Sequence, residues 1–216
     1  MRRLNDPDSN PAYREALASR VHAVLARDSR VARVTRFGSL AADPDIPDQY
    51  SDIDFEVFVA PPTSDLAFLG QAVAILSEVA PVAASAATSL GAFGYVAHVW
   101  FEGMPPFWNV DIRCRADCHQ EASDFGKANG WSTGYRLWLL AVKKLLRTTA
   151  FISELRGNIA GEAGSVRIDP LLAQEMRDLL NQHCLATTQI AEATPLALLC
   201  RSVAEAYLKS EGTAEG

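Results

Sequence analysis

The chain has 216 residues, 49% hydrophobic and 21% charged, with 13 Gly and 11 Pro. That balance gives one large or two small domains with a real core, and it excludes collagen-like, coiled-coil and disordered classes. A formal net charge of −6 argues against a protein that grips a nucleic-acid backbone, which needs a basic footprint. No signal-type apolar run follows Met1-Arg2-Arg3 and no apolar stretch nears about 18 residues, so a cytoplasmic protein without a membrane span is expected.

Asn10-Pro11 reads as a helix start, a capping Asn with Pro at the first helical position. Ala16, Val21, Val24 and Leu25 then recur at helical spacing over 12–27. Asp28-Ser29-Arg30 breaks that helix. The alternation of Val31, Arg33 and Thr35 with Ala32, Val34 and Arg36 predicts a strand up to Phe37, closed by Gly38-Ser39. Residues 40–49 hold three Asp and two Pro and read as loop. Ile53–Val59 is β-branched and aromatic, the next strand. Pro61-Pro62 stops it, and Ser64 caps a helix over 65–79 with Leu66, Leu69, Val73 and Leu76 inward.

A short strand is expected over 82–86. Two more, 95–101 and 107–113, read as a hairpin joined by the five residues from Glu102 to Pro106. In the second of these, Trp108, Val110 and Ile112 share one face, and Asn109, Asp111 and Arg113 the other. From Asp117 strand signals stop. Helices are predicted over 133–155, from Pro170 to about 185, and from Pro195 to about 208, with Gly157, Gly161 and Gly164 in a flexible link and a frayed tail over 210–216. The expected fold is α+β: a mixed sheet with flanking helices over 1–116, then a helical bundle over 117–216. Cys114, Cys118 and His119 lack the second ligand pair of a zinc site, so the cysteines read as free thiols of a reducing compartment. Trp100, Trp108, Trp131, Tyr135 and Trp138 read mainly as core, with some left to wall a pocket.

Asp52 and Asp54 are two apart at the start of a strand, so both carboxylates leave the same face while Ile53 and Phe55 turn inward. Two acids side by side repel unless a cation sits between them, and Mg²⁺ with its oxygen ligands suits that place. Gly38 permits close approach of the backbone to a phosphate, and the Ser39 amide and hydroxyl offer donors to it. A phosphate seat beside a two-carboxylate metal seat is what phosphoryl or nucleotidyl transfer requires.

The string Phe37-Gly38-Ser39-Leu40 with Tyr50-Ser51-Asp52-Ile53-Asp54 resembles the signature of the polymerase-β-like nucleotidyltransferase superfamily. It is most similar to the antibiotic-modifying branch, the kanamycin and lincosamide nucleotidyltransferases. The likeness covers roughly residues 20–115. It implies a nucleotidyltransferase-type fold, Mg²⁺, and ATP or another nucleoside triphosphate as co-substrate. A hydroxyl of a small molecule attacks the α-phosphorus and pyrophosphate leaves. By motif position Asp52 and Asp54 are metal ligands, and Gly38 and Ser39 hold the β- and γ-phosphates.

Members that do chemistry need a third carboxylate, as ligand or proton acceptor. Asp111 is the candidate, because Asp fits a strand poorly between Val110 and Ile112. Glu102 in the turn is the alternative, and Glu56 is expected farther along the strand in a salt bridge. Related enzymes carry a small-Arg-Gly sequence soon after Gly-Ser. Here the residues are Leu40-Ala41-Ala42-Asp43. The positive charge then comes from elsewhere: Arg36, Arg113 or Arg147, or Lys143 and Lys144 on the long helix, which are preferred. The acceptor implied is an aminoglycoside or lincosamide antibiotic, with no stable nucleic-acid partner and no membrane, in a family that often builds its site across a homodimer. The alternatives are a protein-modifying nucleotidyltransferase of toxin–antitoxin type and a non-catalytic nucleotide-binding module.

Overall fold

The computed structural model describes residues 11–38, 51–89, 95–116, 135, 137–146 and 170–212. The chain divides into two compact units, residues 1–134 and 135–216.

Among the described residues, the first unit is a five-stranded mixed sheet with two helices. Its elements are α1 (Pro11–Arg27), β1 (Val31–Phe37), β2 (Ile53–Val59), α2 (Asp65–Leu76), β3 (Val82–Ser89), β4 (Tyr95–Phe101) and β5 (Val110–Ala116). The strand order is β1-β2-β5-β4-β3. All neighbours are antiparallel except β2 and β5, which run parallel, with α2, β3 and β4 as the crossover between them.

Strand alternation sorts the two faces of this sheet. Ile53, Phe55, Val57 and Val59 of β2 are buried, as are Val110, Ile112 and Cys114 of β5 and Ala97, Val99 and Phe101 of β4. They form one core with Leu17, Ala18, Val21 and Leu25 of α1 and Phe68, Leu69, Ala72 and Leu76 of α2. Both helices therefore cover the same face. Burying a side chain such as Phe55 stabilises the fold by about 1.5–3 kcal/mol. Cys114 lies fully inside this core, and burial pushes its thiol well above the ordinary range.

Local signals set the boundaries. Ser64 caps α2, its hydroxyl accepting from the Ala67 amide at 3.2 Å. Asp28 closes the α1–β1 turn by accepting from the Arg30 amide at 3.0 Å and from its guanidinium at 2.8 and 2.6 Å. Those Arg30 donors hold the Asp28 carboxyl below its usual range.

Four expectations need correction. Ala16 is exposed, and the inward stripe of α1 runs instead through Leu17, Ala18, Val21 and Leu25. Strict alternation fails in β1, where the register shifts between Val31 and Arg33, so that Val31 and Val34 both pack on the core. The third strand is longer than expected, reaching Ser89. The β4–β5 link is longer too. The β4–β5 ladder begins at Val99 with Val110, not at Phe107, because Pro105 and Pro106 lack the amide a strand needs. Gly103 (φ 72°) turns the chain, and the Trp108 amide donates to Pro105 O at 3.0 Å.

The second unit is helical where described. Residues 137–146 form α3, followed by α4 (Pro170–Thr188) and α5 (Pro195–Gly212). The α5 helix runs into the stretch expected to fray. The Tyr135 hydroxyl donates to Glu192 Oε2 at 2.6 Å, and the Cys200 thiol to the Tyr135 carbonyl at 3.5 Å, which ties the α4–α5 link and α5 to Tyr135, just before α3. No helix among the described residues is long and apolar enough to cross a membrane.

Candidate metal centre

The face of the sheet opposite α1 and α2 carries the acids. Asp54 on β2 and Asp111 on β5 are register partners across the parallel pair. Asp52 leads into β2 on the same side as Asp54, where the Ile53 amide bonds Asn109 O at 3.0 Å. One oxygen from each of Asp52, Asp54 and Asp111 falls within 4.8 Å of the others. Oxygens bound to a single Mg²⁺ at about 2.1 Å stand at most about 4.2 Å apart, so a small rotation of these side chains would close them on an ion.

Gly38 stands directly against this cluster. Phe37 pairs with Asp54, and the next residue turns with φ 76°. A Cβ built there would lie 2.3 Å from Asp54 Oδ2. Glycine at this position thus serves both the turn and the carboxylate beside it.

Asp111 is held from two sides. His98 is its partner across the antiparallel β4–β5 ladder. His98 Nδ1 lies 2.7 Å from Asp111 Oδ1, and Asn109 Nδ2 donates to the same oxygen at 2.5 Å. With an ionised carboxylate as acceptor, Nδ1 carries the proton. His98 is buried at 2% exposure, so its ring has little freedom to leave this bond. Asp52 is steadied from behind. Arg14 of α1, buried at 1% exposure, donates to the Ser51 carbonyl at 3.1 Å and lies over the Trp108 ring.

The other expected residues are distributed as follows. Glu102 is exposed in the turn after β4 and lies outside the acidic cluster. Glu56 forms the expected ion pair, with Arg115 at 2.7 Å. Arg36 is engaged by Glu15 through two bonds of 2.6 and 2.7 Å, which hold the Glu15 carboxyl below its usual range. On α3, in the second unit, Lys143 is buried and Lys144 exposed. Ser39, Cys118, His119, Trp131 and Arg147 lie outside the described residues.

His98, Asn109 and Arg14 were not singled out from sequence as site residues. A trace of each was present: Arg14 begins the stripe continued by Leu17, Ala18, Val21 and Leu25, His98 interrupts an apolar strand, and Asn109 precedes Asp111 by two residues. Only the register shows what they face.

No protein-family model matches this chain, and a search of the curated proteins finds no matching relative.

Proposed function

We propose that this protein is a Mg²⁺-dependent nucleotidyltransferase that moves a nucleoside monophosphate, AMP from ATP in the first instance, onto a hydroxyl of a small molecule. The observation that carries this reading is the convergence of Asp52, Asp54 and Asp111 within 4.8 Å beside the Gly38 turn. Carboxylates so placed repel one another when charged, and a cation between them would offset that repulsion.

Asp52 and Asp54 would hold the ion, with Asp111 completing the set. Once bound, Mg²⁺ offsets the charge on the phosphate oxygens and makes a nearby hydroxyl more acidic. The acceptor oxygen forms a bond to the α-phosphorus, the bond from that phosphorus to the bridging oxygen breaks, and pyrophosphate carries the electron pair away. The hydroxyl proton passes to a carboxylate, for which Asp111 is the candidate. His98 and Asn109 keep Asp111 in one orientation through Oδ1. Gly38, having no side chain, lets the turn and the Asp54 carboxylate pack together.

Pyrophosphate release in the presence of Mg²⁺, each of the four ribonucleoside triphosphates and a panel of aminoglycosides and lincosamides tests the reading. Release that needs both metal and acceptor is expected. Its absence with every acceptor, together with no metal-dependent nucleotide binding, would exclude the enzyme.

A second expectation concerns His98 alone. His98→Phe fills a similar space without the donor and should weaken Mn²⁺ binding about tenfold, the order seen when a hydrogen bond supporting a metal ligand is lost. Paramagnetic resonance of Mn²⁺ titrations gives the affinity directly. An unchanged value would show that Asp111 needs no such support.

A further inference from the structure

The acidic face also carries an arginine that, among the described residues, no acid holds. Arg113 follows Asp111 by two residues on β5 and projects from the same face, beside Glu56 of β2 and Val96 of β4. Glu56 is not its partner, because Glu56 accepts from Arg115 Nε at 2.7 Å. The Arg113 guanidinium instead reaches across β2 and lies over the Phe37 ring, its Cζ 4.8 Å from the centroid. Its Nε is buried and meets no acceptor among the described residues. Phe37 pairs with Asp54 and leads into Gly38, so the cation rests on the residue that adjoins both the acidic cluster and the turn.

Among the described residues, the other arginines of the first unit are engaged. Arg36 is bound by Glu15, Arg30 by Asp28 and Arg27 by Glu78. Arg14 and Arg20 donate to the carbonyls of Ser51 and Val79. Arg33 rests on Phe58, four residues along β2 from Asp54.

Stacking on Phe37 occupies a face of the guanidinium and leaves its in-plane donors for another group. Such a fork matches two phosphate oxygens. The charge balance demands something of this kind. Three ionised carboxylates with one divalent ion still total about −1, onto which a polyphosphate of the same sign must dock. The residues after Gly38-Ser39, Leu40-Ala41-Ala42-Asp43, contain no cation.

We propose that Arg113 is the anion-holding residue of the site, donating to the β- or γ-phosphate of a nucleoside triphosphate. The assignment rests on the nucleotidyl-transfer reading above. It replaces the expectation that Lys143 and Lys144 do this work.

The test is calorimetric titration of the full chain with the α,β-methylene analogue of the preferred triphosphate in Mg²⁺, with the corresponding monophosphate as control. Arg113→Gln should weaken triphosphate binding about 10- to 100-fold, as expected for lost hydrogen bonds to a charged group. Monophosphate and Mn²⁺ affinities should stay as in the wild type. Arg113→Lys should recover part of the loss, since it keeps the charge without the fork. Equal triphosphate affinity in wild type and Arg113→Gln would overturn the assignment and leave the proposed function standing. Parallel loss of triphosphate and monophosphate binding would also overturn it, as a general defect of the pocket. No metal-dependent triphosphate binding by the wild type would remove the proposed function itself, and this inference with it.

Discussion

Asp111→Asn is expected to lower kcat/KM for nucleotidyl transfer by at least about three orders of magnitude, or about 4 kcal/mol of transition-state stabilisation. The substitution keeps the shape of the side chain and removes the charge that would complete the proposed ligand set. Its effect on stability should have the opposite sign. Without metal, three carboxylates within 4.8 Å destabilise the folded state, and removing one charge relieves that repulsion. The variant should therefore melt at or above the wild-type temperature in a chelator. Added Mg²⁺ should raise the melting temperature of the wild type but not of the variant, because only an ion bound to the native state stabilises it. A calorimetric scan with and without Mg²⁺, beside a pyrophosphate assay, gives both readings. Retained activity would move the third-carboxylate role away from Asp111.

Gly38→Ala should be nearly as damaging, for a different reason. An alanine pays a conformational penalty at φ 76°, and its Cβ would fall 2.3 Å from Asp54 Oδ2. Relief requires Asp54 to swing away or the turn to open. Either movement dismantles the proposed metal seat, because Asp54 is placed by its register between Phe37 and Asp111. The backbone term alone costs about 1–2 kcal/mol. Mn²⁺ affinity is expected to fall by at least about tenfold, with activity following it. Asp54→Ala combined with Gly38→Ala separates the contributions. If the clash matters, the melting-temperature loss of Gly38→Ala shrinks when the Asp54 carboxylate is gone. A loss of equal size in both backgrounds would assign the whole effect to φ.

Much of this arrangement was legible in the sequence, and what was missed has physical causes. Ile53, Asp54 and Phe55 could be placed on their faces because β2 obeys strict alternation and is flanked by clear breaks. Asp111 stood out as an acid between buried hydrophobes. Alternation does not say which strands pair. The parallel union of β2 and β5 spans three intervening elements, and nothing local in either strand encodes it. His98 was missed for a different reason: β4 and β5 were expected to pair, but the link between them is longer than read, and only the true register sets His98 opposite Asp111. In β1 a register shift broke the pattern that alternation assumes, and at Trp108 a bulky apolar residue read as strand because its burial resembles a strand's. Arg14 escaped notice because helical patterning treats a charged residue as outward, whereas this one is buried with a backbone carbonyl and an aromatic ring for partners.

The parallel pairing of β2 with β5 also bears on how the protein reaches its folded form. Asp54 and Asp111 meet only when two distant stretches of chain have closed on each other, whereas β3, β4 and β5 can zip through successive antiparallel contacts. Closing the long loop costs entropy that the early contacts do not repay. The cation site would then be among the last features to form. The ion would slow unfolding rather than speed folding, acting as a latch on the one strand junction that the rest of the sheet cannot enforce by proximity.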